Sequence, residues 1–568
     1  MRYLALAADY DGTLAHDGQV APKTLKALER LRESGRRLLL VTGRELEELQ
    51  AVFDRLDLFD LAVLENGAVL YNPHDRSTKV LAETPPERFI KLLRKRGVKP
   101  LSVGRAIVAT WEPHETTVLE AIHELGLEMQ VIFNKGAVMV LPSGVNKGTG
   151  LCHALDELAL SRHNVLGIGD AENDHAFLAC CECAVAVDNA LPMLKERADL
   201  VTKGARGDGV VELIERLLKN DLLEVELPRH NILVGTTDGG EDVWVHPYGT
   251  RVLIAGPSGS GKSMSSTALL ERLTTHGYQF CLIDPEGDYE GFECTVRLGD
   301  SDRAPTIDEV LQVLARPNQS AIVNLLGVKI EDRPQFFTSL APRLVEMGVR
   351  LGRPHWLVID EAHHLLPIER GQATARLPDD FQGVMLVTVH VDRVAPAALA
   401  PVTTAIAVGP GANRTLRTLA KAVHEPAPES VTNHLQPGEV VVWHRKRGLP
   451  PVRVRLEPAA AEHRRHKRKY AKGELMDDEC FYFRGPEHKL NLKAQNLVLF
   501  AQIAQGVDDD TWQHHLRQGD YSKWFERAIK DDQLGAEAAV IEGDESLPPE
   551  ESRRRILDAI AERYTLPA

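Results

Sequence analysis

The sequence predicts an α/β chain of several domains, and three stretches carry that prediction. Val252-Leu253-Ile254-Ala255 is an apolar run of strand length that opens into Gly256-Pro257-Ser258-Gly259-Ser260-Gly261-Lys262-Ser263, and a segment free of Pro and Gly, Met264 to Thr275, follows it as a helix. Leu4 to Ala8 is a second buried strand, and it ends in Asp9-Tyr10-Asp11-Gly12-Thr13. Near the other end, Asn491 to Gln505 has apolar residues at helical spacing. At ~150 residues each, a chain of 568 residues holds about three or four domains.

Composition narrows the class. A hydrophobic fraction of 43% with 26% charged residues is that of a soluble globular protein. The net charge of −15 argues against a nucleic-acid footprint spread over the whole chain, though not against a local basic patch. The apolar start, Leu4 to Ala8, is broken at once by Asp9 and Asp11, too short for a secretory or spanning segment, so the cytoplasm is the expected location. Seven cysteines make an odd count without framework spacing, which suits reduced thiols. Cys180-Cys181-x-Cys183 lacks a second ligand pair at finger spacing and reads as core thiols.

Taking the chain in order, Asp9 and Asp11 stand at the carboxyl end of a parallel strand, where α/β sheets place their ligands. Two aspartates two apart can serve one site, one attacking phosphorus while the other protonates the leaving oxygen. Alone, the pattern also suits a calcium loop or a plain turn. Three further stretches narrow it. Arg37 to Val41 is a buried strand ending in Thr42-Gly43-Arg44, whose hydroxyl can hold a phosphoryl oxygen. Val145-Asn146-Lys147-Gly148 brings a lysine just before a helix, and Val165 to Gly169 is a strand ending in Asp170-Ala171-Glu172-Asn173-Asp174. Hard oxygen ligands suited to Mg²⁺, a lysine and a hydroxyl together make a phosphoryl-transfer site.

In this order the four pieces resemble the haloacid dehalogenase (HAD) phosphatases, specifically the Cof-like branch with a C2-type cap. The resemblance covers residues 1–222 and implies a Rossmann-like domain. It implies Asp9 as the nucleophile that forms an aspartyl-phosphate, Asp11 as general acid/base, and Thr42 and Lys147 on the transferring phosphoryl group. Asp170 and Asp174 would hold Mg²⁺, with Asp9 and the Asp11 carbonyl as further ligands. Glu65-Asn66-Gly67-Ala68 matches the family's turn near the substrate. Residues 82–142 read as an inserted α/β cap: helix 86–96, strand 106–111, helix 115–125, strands 129–133 and 137–141. A lid of this size excludes water and sets specificity. Arg105, Trp111 and Lys135 are its candidates for touching a small phosphorylated substrate, with a solvated or packing role as the alternative.

Residues 223–457 form the next expected domain. The turn at Gly256–Ser263 fits G-x-x-x-x-G-K-[ST], so Gly256, Gly259, Ser260 and Gly261 would cradle the phosphates of ATP, Lys262 would reach the β- and γ-phosphates, and Ser263 would hold Mg²⁺. Before it, Ile232 to His246 reads as a hairpin turning at Asp238-Gly239-Gly240. After it come strands at 279–284, 321–326, 356–359 and 384–389. Asp360, which would hold Mg²⁺, and Glu361, the natural base for an attacking water, follow the third of these strands. That pair suits ATP hydrolysis better than transfer to a bound acceptor. Thr388 or His390 could sense the γ-phosphate, or sit at the core's edge. With Asp284 to Tyr289 and Ile359 to His363, this segment resembles the HerA/FtsK-like ATPases. The resemblance implies a RecA-like fold, a hexameric homo-oligomer, and a motor acting on DNA or protein, with Arg414 or Arg417 reaching a neighbour's nucleotide. The HerA-type N-terminal barrel is absent, and His390 stands where relatives often have glutamine.

Residues 458–568 read as a basic linker and a small helical domain. His463 to Tyr470 is the one dense basic run, either a solvated linker or a contact to a nucleic-acid backbone. Asp508 to Thr511 offers a helix N-cap, Trp512, Leu516, Trp524 and Phe525 an apolar face, and 552–564 a last helix. The whole predicts a bifunctional phosphatase and ATPase. The competing readings are a polynucleotide kinase-phosphatase and an ATP-gated assembly switch carrying a phosphatase.

Overall fold

The computed structural model describes residues 1–134, 136–289, 295–368, 381, 383–431, 434–458, 480–486, 490–529, 531–544 and 546–563. One compact unit comprises Met1–Glu286 and Phe292–Pro458, and a second comprises Gly287–Gly291 and Ala459–Ala568.

The first unit is built on two large sheets. In the eight-stranded one, Leu200–Val201, Cys183–Ala186, Val165–Gly169, Ala5–Ala8, Arg37–Val41 and Leu61–Leu64 run parallel in that spatial order, with Val69–Tyr71 and Thr78–Val80 antiparallel at the edge. Such strands are covered on both faces, which is why they are continuous apolar runs and not alternating ones. Ala5–Ala8 lies between Val165–Gly169 and Arg37–Val41. The chain leaves it in one direction and later returns on the other side, so its carboxyl end is a topological switch point, the place where such sheets open a crevice.

The inserted cap is a four-stranded antiparallel sheet, ordered Met129–Asn134, Ala137–Pro142, Val108–Trp111 and Ser102–Val103, with helices Glu87–Lys95 and Glu115–Leu125. Alternation divides its faces. Val108, Val138 and Val140 pack with Phe89, Leu93 and Val118 in the cap's own core, while Ala106, Ile107, Met139 and Leu141 join the core of the eight-stranded sheet. The expected strand 106–111 begins only at Val108, because the amides of Arg105, Ala106 and Ile107 are taken by the Glu65 carboxylate. Ser102–Val103, two residues long, was not foreseen.

The second sheet has eleven strands. Thr295–Leu298, Ser320–Asn324, Phe280–Asp284, Trp356–Ile359, Gly383–Thr388, Thr250–Ala255 and Thr404–Val408 run parallel in that order, and Glu439–His444, Val452–Leu456, Ile232–Thr237 and Asp242–Val245 continue it antiparallel. The expected hairpin at 232–246 is present, but it pairs through Val452–Leu456 at the far edge, not beside the P-loop strand.

In the second unit the expected helix over 491–505 is shorter. Leu492–Ala494 pairs with Phe481–Phe483 as an antiparallel ribbon, and the helix starts at Leu497, where the Asn496 side chain accepts from Leu499 N at 2.9 Å. Helices Asp509–Gln518, Asp520–Arg527, Asp532–Gly543 and Pro549–Arg563 follow. Phe500, Trp512, Tyr521, Trp524 and Phe525 form their core, and Trp512 Nε1 donates to Ser552 Oγ at 3.0 Å. The basic run 463–470 lies outside the described residues. Among the described residues, no helix is long and apolar enough to cross a membrane.

The two large sheets meet through the amino ends of their strands. Glu182 precedes Cys183–Ala186, and its carboxylate accepts from Arg2 Nη2 at 2.8 Å, Tyr278 Oη at 3.0 Å and, across 2.7 Å, pairs with His163 Nδ1. Tyr278 precedes Phe280–Asp284 and stacks on His163, ring centroids 3.8 Å apart. Tyr248 Oη donates to His163 O at 2.9 Å, and Arg353 Nη2 to Ala159 O at 2.8 Å. Burial alone would raise the Glu182 carboxyl, but the hydrogen bond from His163 and the charge of Arg2 hold it below its ordinary value. Burial pushes His230 down to about 4 and His355 well below its ordinary range, so both are neutral in the fold. In the unfolded chain they titrate near 6.5. Stability is therefore predicted to be whole above that value and to fall as pH drops from 6.5 towards 4, by at most ~1.4 kcal/mol per pH unit per histidine. Urea denaturation at a series of pH values checks this. His230→Gln should flatten the slope, and a wild-type midpoint that does not move would contradict the burial argument.

Candidate active sites

The phosphatase candidates converge at the carboxyl end of Ala5–Ala8. Asp9 follows that strand, Thr42 follows Arg37–Val41, and Asp170 follows Val165–Gly169, so three neighbouring strand ends deliver side chains to one crevice. Lys147 opens helix Lys147–Glu157, whose start is set by a capping box between Asn146 and Thr149. Its Nζ donates to Asp9 Oδ1 and to Asp174 Oδ1, both at 2.6 Å. The other Asp174 oxygen, Oδ2, accepts from Asp170 N at 2.8 Å and Ala171 N at 2.9 Å. The loop 170–174 is thereby closed on itself, with Asp170 and Asp174 turned inward.

Asp9, Asp170 and Asp174 are each 4% exposed or less and bring ligand oxygens within 4.8 Å of one another. Burial, then the charge of Asp174, pushes Asp9 up to about 8 despite Lys147. Burial by itself favours the neutral amine of Lys147, but Asp174 and Asp9 outweigh it and hold the ammonium above its ordinary range. Three carboxylates around one ammonium suit a divalent cation bound through oxygen. These residues fit Mg²⁺.

Not every expected residue joins that cluster. Asp11 is paired with Arg44 through Nε at 2.6 Å and Nη2 at 2.8 Å, a bidentate contact that fixes its carboxylate plane. Thr42 is buried, and its Oγ1 accepts from Arg44 N at 3.2 Å. Arg44 therefore braces two candidate groups at once. Its place two residues after Thr42 was visible in the sequence, its role was not. Asn189 was also missed: its Nδ2 donates to Gly12 O at 2.9 Å and reaches Asp170 Oδ2 at 3.4 Å, tying the first turn to the acidic loop. Of the cap candidates, Trp111 is 53% exposed, Arg105 is fixed through its backbone amide, and Lys135 lies outside the described residues.

In the second sheet, helix Lys262–Thr275 follows Thr250–Ala255 after the glycine-rich turn. Gly259 and Gly261 have φ of +73° and +96°, backbone that a side chain would strain. At Gly256 a Cβ would come within 2.1 Å of Val408 O, so only glycine lets the turn lie against that strand end. Lys262 Nζ donates to Pro257 O at 2.9 Å. Gly383–Thr388 lies between the P-loop strand and Trp356–Ile359, so Thr388 stands between the P-loop and Asp360-Glu361. Glu361 Oε2 is 3.3 Å from His363 Nδ1, which also meets Thr388 Oγ1 at 3.1 Å. Burial, then His364, His390, Arg393 and Lys262, pushes His363 down to about 4, so it is a neutral partner for Glu361. His390 donates its backbone amide to Thr388 Oγ1 at 3.1 Å. His363 is a site residue to which sequence spacing assigned no role.

A third cluster, His163, Glu182 and His230, also has metal-ligating atoms within 4.8 Å. Arg2, Tyr278 and His163 already engage the Glu182 carboxylate, and a guanidinium at 2.8 Å repels a second cation. This cluster is the polar hub between the sheets.

A Rossmann-like sheet with strand-end carboxylates, a buried lysine and an inserted lid defines a phosphoryl-transfer hydrolase. A family model described as haloacid dehalogenase-like hydrolase matches residues 6–121 and 115–214. Phosphoglycolate phosphatase 2 of Saccharolobus solfataricus is 30% identical over 224 residues, 38% of this chain and 94% of that protein. Phosphoglycolate phosphatase of Methanothermobacter thermautotrophicus is 31% identical over 223 residues, 38% of this chain and 98% of that one. A solved haloacid dehalogenase-like hydrolase from Bacteroides thetaiotaomicron, 20% identical, aligns with a TM-score of 0.34 over 38% of this chain and 99% of its own. The chain belongs to the haloacid dehalogenase-like hydrolases. A second model, an AAA domain, matches residues 248–389, from the P-loop strand through Gly383–Thr388. The protein is thus an enzyme that joins a HAD phosphatase to an AAA-type ATPase domain.

Lys147→Met should lower turnover of a general phosphomonoester by about 10³-fold, since it removes the one positive charge shared by Asp9 and Asp174. Initial rates with p-nitrophenyl phosphate, with circular dichroism to confirm the fold, read this directly. A rate within about ten-fold of wild type would contradict the role given to Lys147.

Proposed function

We propose that residues 1–222 are a Mg²⁺-dependent phosphomonoester hydrolase and residues 223–457 an ATP-hydrolysing module, with residues 458–568 a linker and helical docking segment. The observation that carries the phosphatase reading is the ammonium of Lys147 held between Asp9 and Asp174 at the switch point of the sheet. The substrate class is a small carboxylated phosphomonoester, with 2-phosphoglycolate first, because relatives matched over almost their whole length bear that name.

In the proposed reaction an Asp9 oxygen attacks phosphorus, a P–O(Asp) bond forms, and the ester P–O bond breaks. Asp11 gives its proton to the leaving oxygen. Water then attacks phosphorus as Asp11 takes its proton, the P–O(Asp) bond breaks, and inorganic phosphate leaves. Lys147 and Thr42 hold the phosphoryl oxygens, and Arg44 keeps Asp11 oriented between the two half-reactions. Asp9, the Asp11 carbonyl, Asp170 and Asp174 would hold Mg²⁺, which when bound supplies neutralisation of the charge on the phosphoryl oxygens.

At the second site, Gly256, Gly259, Ser260, Gly261 and Lys262 would bind the ATP phosphates, Ser263 and Asp360 the accompanying Mg²⁺, and Glu361 the attacking water. The strand inserted between the P-loop strand and Trp356–Ile359, together with Glu361, supports a HerA/FtsK-like motor or remodelling module over a kinase. Arg414 and Arg417 are exposed on helix Ala412–Ala422, which suits action on a neighbouring copy's nucleotide in a homo-oligomer. The cytoplasm remains the proposed location.

With Mg²⁺, the purified protein should hydrolyse both 2-phosphoglycolate and ATP. Asp9→Asn should remove only the first activity and Lys262→Ala only the second, each by about 10³-fold or more. If neither activity appears in the wild type the proposal fails, and transfer of labelled phosphate from ATP to a 5′-hydroxyl end would replace it with a kinase-phosphatase.

A further inference from the structure

We propose that Glu65 is the latch that docks the cap over the phosphatase site, a positioning residue for hydrolysis and not a catalytic one. The proposal rests on the phosphatase reading for its kinetic consequence, and on geometry alone for the latch itself.

Glu65 follows Leu61–Leu64, a strand of the eight-stranded sheet, and is 2% exposed. Its Oε1 accepts from Arg105 N at 3.0 Å, and its Oε2 from Ala106 N at 2.8 Å and Ile107 N at 3.1 Å. These are three consecutive amides of the loop that joins the cap strands Ser102–Val103 and Val108–Trp111. Successive backbone N–H groups converging on one anion form a nest, and an ionised acceptor makes such bonds short and strong. Among the described residues, the hydrogen bonds to this buried carboxylate come from cap amides, while Leu64 before it pairs with Val69 in the sheet.

The turn around Glu65 connects this latch to the chemistry. Glu65 and Asn66 both hold left-handed backbone, φ +48° and +52°, a conformation that asparagine adopts readily and glutamate rarely. Asn66 Nδ2 reaches Met139 Sδ on the cap strand at 2.9 Å, and its Oδ1 accepts from Asn173 Nδ2 at 2.9 Å, one residue before Asp174. Asn66 N donates to Thr42 O at 3.1 Å. Gly67 lies so close to Asn146 that a Cβ would be 1.9 Å from its carbonyl oxygen, one residue before Lys147. One three-residue turn therefore touches the cap loop, the cap sheet, the acidic loop, the Thr42 strand end and the lysine helix.

The side-chain chemistry selects glutamate. With one oxygen facing Arg105 N and the other facing two amides, either orientation of a glutamine would set its NH₂ against at least one N–H. Gly104 completes the fit, because a Cβ there would lie 2.7 Å from Glu65 Oε2 and 2.8 Å from Ile107 Cγ2. Without the latch the cap spends more time undocked, and bound substrate must close it. Apparent affinity then falls by the fraction of closed enzyme, while the closed complex turns over as before.

Hydrogen–deuterium exchange on the full chain, read by mass spectrometry alongside steady-state kinetics with 2-phosphoglycolate, compares wild type with Glu65→Gln and Gly104→Ala. Peptides covering 102–110 should exchange about ten-fold faster in both variants, with those of Leu61–Leu64 unchanged. KM should rise about ten-fold, with kcat within about two-fold of wild type. Native exchange over 102–110 in Glu65→Gln overturns the latch, as does a fall in kcat with KM unmoved. Should Glu65→Gln disturb the whole sheet, Gly104→Ala, which substitutes a cap residue and leaves the glutamate in place, decides: faster exchange supports the latch and native exchange overturns it. If the wild type hydrolyses no phosphomonoester, the phosphatase reading fails and the exchange data alone decide on Glu65.

Discussion

The ammonium of Lys147 sits 2.6 Å from a carboxylate oxygen of Asp9 and 2.6 Å from one of Asp174, and most of the first sheet can be read as support for those contacts. A buried carboxylate is costly unless paired, and three in one crevice repel one another as well. The sheet meets that cost locally. Asp174 is held by the amides of Asp170 and Ala171, Asp11 is withdrawn into a bidentate pair with Arg44, and helix Lys147–Glu157 is started by its own capping box so that the lysine enters at a fixed angle. The turn Glu65–Gly67 then locks these parts to one another and to the cap. Loss of the Arg44 pair or of the helix cap at Asn146 would leave the lysine in place but loosen the geometry it organises, the kind of small misplacement that costs rate more than stability.

The same strand logic places the second site. Parallel sheets present ligands at their carboxyl ends, and the two sheets of the first unit are joined by residues that precede strands: Arg2, His163 and Glu182 on one side, Tyr248, Tyr278, Arg353 and His355 on the other. The phosphatase crevice and the P-loop therefore open away from each other. The hub around Glu182 is buried, polar and fully hydrogen-bonded at its carboxylate, which makes it a stiff joint.

Much of this was legible because the functional groups are attached to the strongest signals a sequence carries. Ala5–Ala8, Arg37–Val41, Val165–Gly169, Thr250–Ala255 and Trp356–Ile359 are all apolar runs that must be buried on both faces, and Asp9, Thr42, Asp170, the P-loop turn and Asp360 each follow one of them directly. What was not legible depends on folding back. Arg44 and Asp11 are 33 residues apart, and the Glu182 hub gathers residues from positions 2 to 278. Glu65 has meaning only once the cap loop arrives. Thr295–Leu298, Glu439–His444 and Val452–Leu456 were missed as strands, because none ends in a recognisable motif and their partners lie far along the chain. The helix expected from Asn491 lost its first turn to pairing with Phe481–Phe483, a tertiary contact that local periodicity does not register.

Asp9, paired with Lys147 at the end of the central strand, is the group proposed to take the phosphoryl. Rapid acid quench of a single turnover with substrate labelled in its phosphate tests this most directly. The expected result is protein-bound label that is released by hydroxylamine, maps to the peptide containing Asp9, and is absent from Asp9→Asn. Turnover without bound label, or label on a peptide that lacks Asp9, would contradict it.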